Sequence, residues 1–208
     1  MKVAYFAESP ADEAALTILT EAILGRATTP VLHAGLRHRG WPAVKSAMRS
    51  VLMELHYHTD AEGFVFIVDS NGSPPHFPAH DKAPEPTCRL CQLRRIALEV
   101  QHQVRPRPHQ PALKIALGVA VPAIEAWLLC GVKPSASEAA WINGQREGRK
   151  PFTSEDLKIE LYGTARPSIT DETVAMKNAA TRLVNDLQPL ETSFPQGFGV
   201  LRKDLATW

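Results

Sequence analysis

The ten residues GFVFIVDSNG, numbered 63–72, constrain the fold more than any other stretch of the chain. Phe64 to Val68 form an unbroken apolar run with high β propensity, which favours a strand buried on both faces of a parallel sheet. Asp69 follows at the carboxyl end of that strand. Because ligands of open α/β sheets bind beyond the carboxyl ends of strands, an acid there indicates chemistry. An Asx turn that ends the strand is the alternative.

Three other segments have the composition of strands, and amphipathic helix patterns alternate with them. These segments are residues 2–7, 30–34 and 113–121, and the last of them (LKIALGVAV) is apolar enough for a central strand. Alternation of strands and helices is typical of a parallel sheet with helices on its faces. We therefore predict an α/β fold with a mainly parallel, Rossmann-like sheet of about four strands.

Length and composition favour one domain. The 208 residues are 44% hydrophobic and 22% charged, which is ordinary for a globular protein and sufficient for one substantial core. From Lys133 onward the patterns indicate helices alone. We expect a single domain over residues 1–208, with an α/β core at 1–132, a loop inserted at 73–91 and a helical extension at 133–208.

The charge balance leaves nucleic-acid binding open. Lys and Arg number 23 against 22 Asp and Glu, so no global basic field attracts phosphate, although a local basic patch is compatible with that balance. Residues 37–41 (RHRGW) could form such a patch, with a solvated turn as the alternative. No apolar run approaches the length of a membrane span and the amino terminus lacks a signal-peptide pattern, so we expect a cytoplasmic protein with no membrane partner.

A proline-rich segment, Ser73 to Thr87, can neither continue a helix nor pair as a central strand, so something must hold it in place. His76 and His80 lie within it, and Cys88 and Cys91 follow it. Two histidines and two cysteines are a complete tetrahedral ligand set for zinc. We predict a structural Zn²⁺ at these four residues. A loop with free thiols is the alternative, and a redox pair is less favoured because no thioredoxin-like pattern surrounds the cysteines.

Acidic residues follow two further apolar strands. Glu8 comes directly after the first strand, where helix capping does not require a carboxylate. Asp12 has a structural role, because it completes a capping box with Ser9 as the N-cap and Pro10 as the first helical residue. Glu125 follows the last strand amid apolar neighbours, where an unpaired carboxylate is costly to bury, so we expect a partner such as a metal or a base.

Glu8, Asp69 and Glu125 should meet at one edge of the sheet, with Asn71 beside them. Such oxygen ligands suit Mg²⁺ or Mn²⁺, which bridge to substrate phosphates, and the sequence has no glycine-rich phosphate loop. Here the chain resembles the Toprim superfamily, which pairs a glutamate after its first strand with an Asp-x-Asp after a later strand. Glu8 and Asp69-x-Asn71 match that pattern, and Asn71 is a departure from it.

Within that superfamily, the chain looks most like the small bacterial Toprim-like proteins related to the nuclease half of OLD-family enzymes. Residues 8–12 are similar to the first motif of that group and residues 125–129 (EAWLL) to its third, and a lysine-bearing helical tail follows. The resemblance implies metal-dependent phosphodiester cleavage with Asp69 and Glu125 as metal ligands. It also implies that Asp12 is an auxiliary ligand and that Glu8 is a ligand or general acid/base. Asn71 implies a weakened second metal.

The resemblance further implies that the partner is nucleic acid, with DNA favoured over RNA. An ATPase partner is common in that group, which implies a role in bacterial phage defence, and this chain has no nucleotide-binding motif of its own. Two other classes stay open. A catalytically weak Toprim-like subunit could bind or sense for an ATPase complex, which Asn71 favours. Alternatively, the acids are turn residues of an α/β protein that binds a small phosphorylated ligand.

Overall fold

The computed structural model describes residues 1–32, 41–107 and 110–208. Within them, four strands form one all-parallel sheet in the order β2-β1-β3-β4. The strands are β1 (Lys2–Phe6), β2 (Thr29–Pro30), β3 (Gly63–Asp69) and β4 (Lys114–Ala120). The predicted α/β fold with a parallel sheet is thereby confirmed. Residues 33 and 34 of the expected second strand lie outside the described residues.

Helices cover both faces of this sheet. In the described part of the chain they are α1 (Pro10–Leu24), α2 (Trp41–His58), α3 (Arg89–Gln103), α4 (Ile124–Leu128), α5 (Glu138–Arg146), α6 (Ser154–Tyr162), α7 (Ile169–Leu183), α8 (Gln188–Ser193) and α9 (Phe198–Leu205). The sequence pattern predicts a helix from Asp171 to Leu187, whereas the helix found there, α7, stops four residues earlier. That helix ends at Leu183 because Asp186 Oδ1 accepts the Gln188 N–H at 3.0 Å, an Asx-type turn that starts α8.

Side chains of the central strands alternate between two hydrophobic cores. On one face, Val3, Tyr5, Val65 and Ile67 contact α1 and the helices from α4 to α9. On the other face, Ala4, Phe6, Phe64 and Phe66 contact α2 and α3. Burial on both faces explains why β3 is an uninterrupted apolar run rather than an alternating one. The C-terminal helices therefore complete the core of one face of the sheet.

The position of β4 differs from the prediction, because this strand lies at an edge of the sheet and not at its centre. Helix α9 packs along that edge. The Leu117 N–H, which has no strand partner on that side, donates to Asp204 Oδ2 of α9 at 3.2 Å. Lys114 Nζ donates to the Trp208 carbonyl oxygen at 2.6 Å. Because α9 covers the edge and satisfies a backbone donor, a strand as apolar as β4 can lie there.

Glu138 joins α5 to the segment that precedes α9. Its carboxyl group, in a residue only 1% exposed, accepts the N–H of Gln196 at 2.8 Å and that of Gly197 at 2.6 Å. A Cβ on Gly197 would lie 2.4 Å from the Val119 carbonyl oxygen, so only glycine fits this approach. These contacts anchor the C-terminal helices to the carboxyl end of β4.

We expect Glu138 to make stability depend on pH. Burial raises its pKa from 4.5 to about 7, although the two N–H donors oppose the shift. Between those values the folded protein binds more protons than the unfolded chain, so the free energy of unfolding falls as the pH rises through this window. Glu138→Gln should flatten that fall, as measured by urea unfolding at several pH values. The variant should also be less stable than the wild type at every pH. Glutamine has one acceptor oxygen for the two N–H donors, and its NH₂ group would face the other donor. An unchanged pH slope would contradict this assignment.

Candidate metal centres

The carboxyl edge of the sheet brings together the acids that the sequence places after strands. The Asp69 N–H, at the end of β3, donates to Glu8 Oε1 beyond the end of β1 at 3.3 Å. Asp69 Oδ1 accepts the N–H of Ile124, the first residue of α4, at 3.1 Å, and Glu125 is the next residue. Glu8 is exposed, whereas Glu125 is only 6% exposed. Three adjacent strand ends therefore supply one group of carboxylates, which we call the acid cluster: Glu8, Asp12, Asp69 and Glu125.

The members of the acid cluster disfavour one another's ionisation. Burial is the largest cause of the raised pKa of Asp69, and the charges of Glu125, Glu8 and Asp12 add to it. Burial and then the charge of Glu125 raise the pKa of Asp12 to about 7. Burial also raises the pKa of Glu125. This concentration of negative charge is the electrostatic condition that a bound cation relieves.

Asp12 also has its predicted capping role. The Asp12 N–H donates to Ser9 Oγ at 3.1 Å, and the Ser9 N–H donates to Asp12 Oδ2 at 2.9 Å. The capping box at the start of α1 is therefore confirmed. Because the charge of Asp12 also acts on Asp69, one carboxylate caps the helix and belongs electrostatically to the acid cluster.

Asn71 has a backbone explanation. Its φ is +43° and that of Gly72 is +88°, and the Ser73 N–H donates to the Ser70 carbonyl oxygen at 2.8 Å. These values indicate a turn of type I′, in which asparagine and aspartate both tolerate the left-handed conformation. Asn71 is exposed. The turn thus accounts for a short polar residue here, but it does not select asparagine over aspartate.

Arg89 is a cation of this edge that the sequence patterns did not single out as a site residue. It is the first residue of α3, and its guanidinium donates to the Asp69 carbonyl oxygen. The same group lies 4.8 Å from the centroid of the Trp41 ring. Burial lowers the pKa of Arg89, while the charges of Glu8 and Asp69 oppose that shift. Its position between Cys88 and Cys91 was the signal that could have drawn attention to it.

Helices α6 and α7 close the other side of the acid cluster. The Tyr162 hydroxyl donates to Glu125 Oε1 at 3.4 Å. Lys158, one turn earlier on α6, lowers the pKa of Glu125 by its charge, and Glu172 of α7 raises it. The sequence analysis expected Glu125 to have a partner but did not identify these residues. No spacing in the sequence links α6 to the strand ends, so no local signal could have found them.

The second site is the group His76, His80, Cys88 and Cys91, which we call the His/Cys cluster. Its four ligand atoms all lie within 4.8 Å of one another, so the group could hold a metal ion. His76 Nδ1 lies 3.8 Å from Cys88 Sγ and 3.6 Å from Cys91 Sγ. In the described part of the chain, no other group of three or more His, Cys, Asp or Glu side chains brings its ligand atoms into comparable metal-binding reach.

Neighbouring residues orient the His/Cys cluster. His76 Nε2 lies 3.1 Å from Asp81 Oδ1, which also accepts from the Arg94 guanidinium at 2.7 Å. This contact turns His76 Nδ1 toward the thiols. Cys88 is the N-cap of α3, and Cys91 lies in its first turn. Burial raises the pKa of the Cys88 thiol to about 11. The proline-rich loop is therefore joined to the start of α3.

Comparison with protein-family models, with curated proteins and with solved structures finds no match to this chain. Function is therefore inferred from the geometry of the two clusters. Within the described residues, no helix combines the length and the apolar character needed to cross a membrane. Of the basic segment at residues 37–41, only Trp41 lies within the described part of the chain.

Proposed function

We propose that the acid cluster binds Mg²⁺ or Mn²⁺ and that the protein is a metal-dependent nuclease that hydrolyses phosphodiester bonds. One observation supports this most. Carboxylates from three adjacent strand ends meet at the edge of a parallel sheet where α/β proteins bind ligands, and burial together with the charges of its neighbours raises the pKa of Asp69. Turn chemistry does not require such a concentration of charge, since Asn, Ser or Gly would serve a turn as well.

The donor set fits a hard cation. All its side-chain donors are carboxylate oxygens, which Mg²⁺ and Mn²⁺ prefer. Asp69 uses Oδ1 for the Ile124 N–H, so its Oδ2 is the oxygen assigned to the cation. Exposed Glu8 forms the rim of the cluster and buried Glu125 its floor. An exposed rim leaves room for the waters and the substrate phosphate that complete the coordination of Mg²⁺.

The residues of the chain have distinct roles in the proposed reaction. A cation bound at the acid cluster would polarise the phosphoryl oxygen and lower the pKa of the attacking water. Glu8, at the exposed rim, is assigned to accept the proton of that water. Arg89 offers guanidinium N–H groups to the phosphate oxygens. Burial and then the charge of Glu125 raise the pKa of Tyr162 far above its ordinary value, so its hydroxyl stays neutral and orients Glu125. This favours hydrolysis by water over attack by this tyrosine.

We further propose that the His/Cys cluster holds a structural Zn²⁺. With Zn–N near 2.0 Å and Zn–S near 2.3 Å, tetrahedral geometry requires about 3.5 Å between the nitrogen and sulfur atoms. The observed separations of 3.8 Å and 3.6 Å are slightly longer than that value, so a small shift of the side chains would complete the geometry. The carboxylate of Asp81 behind the His76 ring is the second contact that zinc-binding histidines commonly make. Four protein ligands leave no open position for a substrate, which supports a structural role.

A catalytically weak subunit that binds or senses for an ATPase partner is the second candidate. Asn71 favours it, because an amide in place of a second carboxylate removes a charge and a strong metal ligand. The carboxylate oxygens of the acid cluster also lie farther apart than the ligand atoms of the His/Cys cluster, which favours weaker binding of a cation. Binding of nucleic acid without cleavage is the property that separates this candidate from a nuclease.

The test is cleavage of plasmid DNA, single-stranded DNA and RNA by the purified protein with Mg²⁺ or Mn²⁺. We expect cleavage that requires the cation and that Glu8→Gln and Glu125→Gln remove. Glu147→Gln is the matched control, since Glu147 is exposed and pairs with Arg149 away from the acid cluster. Cation-dependent stabilisation without cleavage would favour the second candidate. If the cations neither stabilise the protein nor support cleavage of any of these substrates, the proposed metal site is refuted.

A further inference from the structure

The acid cluster alone does not distinguish a polynucleotide from a small phosphate ester. A polymer must also be held on either side of the cleaved bond, and proteins do this mainly through phosphate contacts along the backbone. A positively charged surface that could bind backbone phosphates begins beside the acid cluster.

This surface is a groove between α2 and α3 with a volume of about 540 Å³. Helix α2 contributes Trp41, Lys45 and Arg49 to its lining, and helix α3 contributes Arg95 and Glu99. We call it the α2–α3 groove. The two helices pack on the same face of the sheet, so the groove is a fixed feature of the fold.

Arg89 connects the groove to the acid cluster. Its guanidinium donates to the Asp69 carbonyl oxygen and lies 4.8 Å from the centroid of the Trp41 ring. Trp41 in turn lines the groove. A strand whose phosphate is held by Arg89 at the acid cluster would therefore continue past Trp41 into the groove.

The charge of the groove is positive. Lys45, Arg49 and Arg95 provide three cations, and Glu99 is the acid among the lining residues. Glu99 is shared, since it lies 3.4 Å from Arg49 and 3.9 Å from Arg95, whose side chains are 45% and 64% exposed. Exposed ion pairs of this kind contribute little to stability, so both arginines can exchange Glu99 for a phosphate. No ion pair of Lys45 is found among the described residues.

We propose that the α2–α3 groove binds the phosphodiester backbone of a nucleic-acid strand and that Arg89 holds the phosphate next to the acid cluster. This deepens the proposed nuclease function and rests on it for the cleavage step. The substrate class is a polynucleotide rather than a mononucleotide or a small phosphate ester, because only a polymer carries the neighbouring phosphates that the cations of the groove would bind.

The test measures binding apart from cleavage. Fluorescence anisotropy of labelled single-stranded and duplex oligonucleotides, at several salt concentrations and without divalent cations, gives the affinity and its salt slope. Lys45→Ala and Arg95→Ala should each weaken binding about threefold or more and reduce the salt slope by about one, as loss of one phosphate contact requires. Glu99→Gln should strengthen binding, because it removes the one acid from the lining. Lys177→Ala, an exposed lysine on the opposite face of the sheet, is the matched control.

Each outcome decides between the two proposals. If Lys45→Ala, Arg95→Ala and Glu99→Gln bind as the wild type does, or if the wild type binds no oligonucleotide, the groove proposal is wrong even if the protein cleaves a phosphate ester. If the three variants change binding as expected but no cation supports cleavage, the groove proposal holds and the nuclease function fails. Arg89→Ala tests the residue that connects the groove to the acid cluster. It should weaken binding of the oligonucleotide, while the exposed Arg95→Lys retains it because the charge is kept.

Discussion

Replacing Asp69 with asparagine should stabilise the protein in the absence of added divalent cations and abolish its response to them. Asp69 has a raised pKa because of burial and the charges of Glu125, Glu8 and Asp12, so its carboxylate opposes folding near neutral pH. Asparagine removes the charge but keeps an oxygen for the Ile124 N–H. Each kcal/mol of repulsion relieved should raise the melting temperature by about 2–4 °C at this chain length.

Mn²⁺ should stabilise the wild-type protein but not the Asp69→Asn variant. A cation at about 100 times its dissociation constant stabilises the folded state by about 2.7 kcal/mol, so wild-type protein should melt about 5–10 °C higher when Mn²⁺ is added. The Asp69→Asn variant should show little change. Its cleavage rate should fall about 100-fold or more, since loss of a cation ligand costs several kcal/mol of transition-state stabilisation.

Thermal melts with and without Mn²⁺ measure the stabilisation of the variant and its loss of the Mn²⁺ response. Asn71→Asp is the reciprocal variant, because aspartate fits the same left-handed turn and adds a carboxylate near the acid cluster. It should lower stability without cations and increase the stabilisation by Mn²⁺. The acid cluster would lose its assignment as a cation site if Asp69→Asn destabilised the protein and left the Mn²⁺ response intact.

Replacing Cys88 with serine should remove the metal of the His/Cys cluster and destabilise the whole fold. Cys88 is the N-cap of α3 and belongs to the ligand set that joins the proline-rich loop to that helix. A site saturated at about 1,000 times its dissociation constant contributes about 4 kcal/mol, so the melting temperature should fall by about 10 °C. Elemental analysis should find zinc in wild-type protein and not in the variant.

Cys130→Ser provides the matched control. Cys130 is also a buried free thiol, but its Sγ lies 3.8 Å from Ser193 Oγ on the opposite face of the sheet, outside the His/Cys cluster. It should keep the metal and lose little stability. Cys88→Ser should also weaken oligonucleotide binding, because Arg89 is the next residue. A Cys88→Ser protein with normal metal content would refute the ligand assignment.

Features that depend on neighbours in the sequence could be predicted from it. The apolar run of Phe64 to Val68 requires burial on both faces, and a parallel sheet with helices on both sides provides it. The capping box of Ser9 and Asp12 depends on residues three positions apart. Because parallel strands end at the same edge, Glu8, Asp69 and Glu125 could be expected to meet there. Paired histidines and cysteines at short spacing predicted the His/Cys cluster, which the structure brings together.

Contacts between distant segments required the tertiary structure. The apolar sequence of β4 is compatible with either the centre or a covered edge of the sheet, and only the packing of α9, through Asp204 and Leu117, decides for the edge. Arg89 lies beside Asp69 and Trp41 because α3 starts at the carboxyl edge of the sheet. Tyr162 and Lys158 act on Glu125 across 37 and 33 positions of the chain. Side-chain periodicity reports which face of an element is buried but not which distant element covers it, so these partners are decided by packing alone.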